Sequence, residues 1–63
     1  MASTLPAFEE ARARAYALLG DAADELRSDW APGGGPTPEQ HRAVRVALEL
    51  IGQAKEALNR AAP

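Results

Sequence analysis

Three consecutive glycines stand between prolines in the stretch Ala31-Pro32-Gly33-Gly34-Gly35-Pro36-Thr37-Pro38. Proline lacks the backbone donor and clashes with a preceding helical turn, and glycine loses the most conformational freedom when it is fixed. Neither a helix nor a strand runs through such a segment. The 63-residue chain is therefore cut into two segments of similar length. The fold depends on what each segment does on its own side of the cut.

The C-terminal segment starts sharply. Thr37-Pro38-Glu39-Gln40 has the form of a capping box, with Pro38 at the first helical position and Glu39 in the first turn. It predicts a helix over about 38–61. Val44, Ala47, Ile51, Ala54, Leu58 and Ala61 recur at alternating steps of three and four, a heptad seam of mixed large and small residues. A second apolar row, Ala43, Val46, Leu50 and Ala57, runs beside it. Together the two rows are wider than one neighbouring helix covers. Arg45, Glu49, Glu56 and Arg60 mark the wet side, and Arg45/Glu49 and Glu56/Arg60 are spaced as i,i+4 pairs.

The N-terminal segment predicts a helix over about 5–29, capped by Ser3 or Thr4, with Glu9 and Glu10 near its positive end. Its apolar positions are Leu5, Phe8, Ala11, Ala15, Leu18, Leu19, Ala22, Leu26 and Trp30. Glu10, Asp21, Asp24, Glu25 and Ser28 fall opposite them, and Glu10/Arg14 is another i,i+4 pair. Gly20-Asp21 is the one interruption, and a break there would make three helices. Leu18 and Leu19 before it share a face with Ala22 and Leu26 after it, so the helix is read as continuous.

These segments imply an all-α fold: an antiparallel two-helix hairpin forming a single domain over 1–63, with a Pro/Gly loop at 31–37. A chain this short buries only about 60% of its unfolded surface and needs a staple. Cysteine is absent and His41 is the only histidine, so disulfides and thiolate or histidine-rich metal sites are excluded. Association remains, and a homodimeric four-helix bundle supplies it without new sequence. The outline resembles the small helical-hairpin dimers of the Rop type in shape and length, with no shared motif. That resemblance implies the dimeric bundle and carries no function.

No catalytic, cofactor-binding or metal-binding residue is expected. Ser3 and Ser28 lie apart from a base, and Glu39 and His41 are two positions apart and point to different faces. Gly33-Gly34-Gly35 lacks the Lys-Ser/Thr and the preceding strand of a phosphate loop. The net charge of −2 argues against a dedicated nucleic-acid binder. No basic leader precedes an apolar run, and no run approaches a membrane span. A cytoplasmic protein with no membrane partner is expected. Six arginines against one lysine, with abundant alanine, suggest a bacterial source.

The expected function is a small, non-enzymatic interaction or regulatory module acting through self-association and contacts with another protein. Its interface is assigned to Val44, Val46, Ala47, Leu50, Ile51, Ala54, Ala57 and Leu58, with Leu18, Leu26 and Trp30. Trp30 either closes the open end of the bundle near His41 and Val44 or anchors a partner. The alternative is a nucleic-acid-binding regulator on the same bundle, contacting through Arg42 and Arg45, with His41, Arg12 and Arg14 nearby. No aromatic is expected among those arginines to stack a base.

Overall fold

The computed structural model describes Leu5 and residues 7–63. Among them are two helices, α1 (Phe8–Leu26) and α2 (Pro38–Arg60), and no strand. The helix passes through Gly20 without interruption, as the phase of its leucines requires.

α1 is shorter than expected at both ends. Leu5 lies outside it, and Ala7 is extended at the N-cap without a side-chain cap. A residue before proline is pushed out of the helical region, which explains why Leu5 does not join. The proposed caps Ser3 and Thr4 lie outside the described residues. At the other end the Arg27 N–H divides between the Ala23 and Asp24 carbonyls at 3.2 Å each, and the Ser28 hydroxyl donates to the Asp24 carbonyl at 3.0 Å. These bonds satisfy carbonyls that the helix leaves open, so it stops three residues before the expected Asp29.

α2 begins where the sequence places it. The Gln40 N–H donates to Thr37 Oγ1 at 3.2 Å, and the Gln40 side chain accepts from the Thr37 N–H at 2.9 Å. Between the helices, the Gly34 N–H donates to the Ala31 carbonyl at 2.7 Å, and Gly33 has φ +79°. Proline at the second position and a left-handed glycine at the third are the requirements of a type II turn.

The helices pack antiparallel. Arg12, near the start of α1, donates to the Leu58 carbonyl near the end of α2 at 3.3 Å. One turn on, Lys55 Nζ stands 4.9 Å from the centre of the Tyr16 ring, and a Cβ added at Gly20 would meet it at 3.9 Å. Arg12 is held from below by Glu9, whose carboxylate accepts from Nη2 at 2.6 Å and Nε at 2.8 Å. The i,i+4 pairs Glu10/Arg14, Arg45/Glu49 and Glu56/Arg60 do not close as ion pairs. Exposed pairs gain little in water and lose side-chain entropy, so their spacing alone does not draw them together.

Ala23 is the only buried residue among those described, at 6% exposure. The seam of α2 is half-buried at Val44, Ala47, Ile51, Ala54 and Leu58, joined by Leu48, Lys55 and Ala62. Leu48 and Lys55 lie outside the expected rows, and Ala62 rather than Ala61 continues the seam. On α1 the inward stripe is Ala11, Arg12, Ala15, Leu19, Gly20, Ala23 and Leu26. Leu18 and Ala22, expected on that stripe, are turned out of it. The chain exposes 5234 Å². A globular monomer of 6.7 kDa would expose about 3,900 Å², or roughly 1,300 Å² less.

Candidate functional site

The two sides of the hairpin differ in chemistry, and one contact fixes which residues share a side. At about 100° per residue, Leu18 and Ala22 flank the inward stripe of α1 on one edge, and Glu9 and Tyr16 flank it on the other. On α2, Ala43, Val46, Leu50 and Ala57 flank the seam on one edge, and Leu48, Lys55 and Asn59 on the other. Lys55 lies over Tyr16, so those two edges belong to one side of the antiparallel pair. Leu18 and Ala22 therefore share the opposite side with Ala43, Val46, Leu50 and Ala57.

That opposite side is apolar and open. Leu18 is 61% exposed, Val46 54% and Leu50 57%. The register set by Arg12–Leu58 and Tyr16–Lys55 places Leu18 and Ala22 alongside the stretch of α2 around Leu50. Exposed apolar residues of both helices thus fall on this side, with Arg14 and Glu25 at its α1 margin. Alanines between the larger side chains leave room for another backbone to approach.

The side of Lys55 is polar. Glu9, Tyr16, Lys55 and Asn59 lie along it. Two partners face each other across the helix–helix groove there, the ammonium of Lys55 and the π-face of Tyr16, an attraction set by the ring quadrupole. The Glu9 carboxyl is held below its usual value, chiefly by the hydrogen bond from Arg12 and further by its charge, with burial opposing. The same pair raises Arg12 above its usual value, again mainly through the hydrogen bond.

The loop end carries a cleft of about 710 Å³ between the start of α2 and the residues following α1. Leu26, Val44 and Leu48 form part of its wall, and Trp30, 49% exposed, stands at its edge with Gly35 against the indole. A Cβ at Gly35 would lie 3.5 Å from Trp30 Cδ1. Trp30 thus stands with His41 and Val44, as expected, but outside α1 and only half covered. Arg27, His41 and Arg45 also line this cleft, and no Asp or Glu does. An adjoining hollow adds Arg42, with Glu49 as its acidic member. Of the arginines considered for nucleic-acid contact, Arg45 thus lines the same cleft as Trp30. With α1 ending at Leu26, Trp30 lies outside the helix against Gly35, at the edge of the cleft that Arg27 and Arg45 also line.

Of the expected interface residues, Val44, Ala47, Ile51, Ala54, Leu58 and Leu26 contribute to the contact between the two helices. Val46, Leu50, Ala57, Leu18 and Trp30 remain exposed. Among the described residues, no group of three or more His, Asp or Glu is placed to hold a metal ion. No helix among them is long and apolar enough to cross a membrane. No protein-family model, curated protein or solved structure matches this chain.

Proposed function

We propose that the hairpin is a non-enzymatic interaction module of a regulatory kind, whose first partner is a second copy of itself. Two hairpins meet through the face of Leu18, Val46 and Leu50 and form a four-helix bundle. The carrying observation is the exposure of those three side chains on one side of a hairpin in which only Ala23 is buried among the described residues. Water contact with that face costs about 25 cal/mol per Å² of apolar surface, and pairing removes it. A standard interface takes about 800 Å² from each partner, which lies within the surplus surface of the single hairpin. The symmetric solution also suits the sequence, because each copy brings the same patch to a twofold axis.

The remaining surface, including the cleft at Trp30, is left outside the bundle to meet a different protein. Size-exclusion chromatography with light scattering tests the pairing. The expected result is twice the chain mass, with an unfolding midpoint that rises with protein concentration. A monomer whose cooperative unfolding midpoint does not move with concentration would overturn it.

A further inference from the structure

We infer that the cleft at the loop end is a docking site for a short acidic and apolar segment of a partner protein. The inference rests on the reading of the hairpin as an interaction module and adds the chemistry of its second partner. It is centred on Trp30, Leu26 and Leu48 rather than on Leu18 and Leu50, and although Ala43 borders both surfaces, peptide binding and chain mass are read independently, so the two can fail separately.

Two features of the cleft set the occupant. Its wall is apolar, built from Leu26 and Leu48 with the half-exposed indole of Trp30 at its edge. Tryptophan presents a large rigid surface with one polar tip, a combination enriched at the centres of protein interfaces. Its rim is cationic: Arg27 and Arg45 border it, His41 stands between, and no carboxylate lines it, in a chain whose net charge is −2. Neither arginine is committed to an ion pair within the hairpin. Each guanidinium therefore keeps its planar set of donors for a carboxylate brought from outside.

An occupant that matches both features carries one or two bulky apolar side chains flanked by Asp or Glu. A long polyanion suits the site less well. The adjoining hollow adds only Arg42 to the arginines of the cleft and sets Glu49 beside them, and Asp29 and Glu39 flank the cleft in sequence, so the basic residues form a short cluster rather than the long uninterrupted track a nucleic-acid backbone takes. The openness of the cleft also favours a peptide over a small ligand, since small-molecule sites cover most of the ligand surface.

Trp30 is the only tryptophan, so its fluorescence reports directly on the site. The full chain is titrated with a synthetic peptide of leucine and phenylalanine interspersed with glutamate. Three controls accompany it: the same peptide with lysine for glutamate, the same peptide with serine for its apolar residues, and a single-stranded RNA oligomer. Saturable, blue-shifted Trp30 emission with the first peptide alone is expected, weakening as salt is raised. The double variant Arg27→Gln/Arg45→Gln should bind it roughly tenfold more weakly, as the loss of two exposed charge pairs implies. Both arginines are exposed, and circular dichroism with light scattering of that variant checks that helix content and mass are unchanged. Equal binding of the lysine peptide, undiminished binding by the double variant, or binding of the RNA with no response to the acidic peptide would overturn the inference. If the chain proves monomeric yet binds the acidic peptide, the pairing proposal fails and this one stands.

Discussion

The two sides of the hairpin are made by the same two helices and have opposite chemistry. On one side Leu18, Val46 and Leu50 stand open, with alanines between them. On the other, Lys55 bridges to Tyr16 and Glu9 holds Arg12, which in turn reaches the Leu58 carbonyl. The polar side is satisfied within one copy, because its charges find partners along α1 and across the groove. On the apolar side, Leu18, Val46 and Leu50 remain exposed among the described residues. A single layer of two helices closes one side by itself, and in the proposed dimer the other is covered by the second copy.

The strongest way to break this comparison is to charge the open side. In the proposed dimer, Leu50→Glu removes about 2 kcal/mol of apolar transfer from each copy. Symmetry applies the loss twice, so the dissociation constant should rise roughly a thousandfold or more. Asn59→Glu, the matched change on the polar side, should leave association within about 0.5 kcal/mol. Sedimentation equilibrium of both variants decides the matter. If Leu50→Glu associates like the unaltered chain, the two sides do not differ in function.

The division between the sides was only partly legible from residue order. The capping box at Thr37–Gln40 is local chemistry, complete within four residues, and the structure forms both of its bonds. The continuity of α1 through Gly20 was likewise fixed by the phase of its leucines. The facing stripes were harder. Val44, Leu48, Ile51, Lys55 and Leu58 form a heptad row as regular as the one through Ala47 and Ala54. Lys55 hides it, because a lysine in the row reads as solvent-facing. Its aliphatic stem packs along the seam while its ammonium reaches Tyr16, which a hydropathy pattern does not register. On α1, Ala22 and Ala23 are equal in hydropathy, and only the position of the second helix decides that Ala23 is the one buried. The cleft was invisible in the sequence for a related reason. It forms because α1 ends at Leu26 and the chain turns back through Gly33 and Gly34, so that residues from both sides of the loop, Trp30, Arg27 and Arg45 among them, line one cleft.

A smaller effect sharpens the polar side. Lys55→Ala removes the ammonium from the Tyr16 face and the stem from the seam. Exposed cation–π contacts contribute about 0.5–1 kcal/mol, and unfolding in urea at fixed protein concentration should lose about that amount. The mass in solution should not change. A shift in oligomeric state with Lys55→Ala would mean that the polar side also takes part in association.

The smallest expected effect comes from Glu9, and its sign follows from the direction of its shift. Arg12 lowers the folded-state value of the Glu9 carboxyl, mainly by hydrogen bonding, so the folded chain binds fewer protons than the unfolded chain as acid is approached. The contribution of Glu9 is therefore fully present above its unfolded value and is lost as pH falls through the lowered folded one. Glu9→Gln should melt at a lower temperature than the unaltered chain near neutral pH, and the gap should close in acid. Both groups are solvent-accessible enough for salt to screen the pair, so added salt should narrow the neutral-pH gap as well. Arg12 also donates to the Leu58 carbonyl, and that bond does not depend on the charge of Glu9. If the gap persists unchanged in acid, Glu9 acts by holding the Arg12 side chain in place rather than through its charge. The polar side would then be closed by geometry more than by electrostatics.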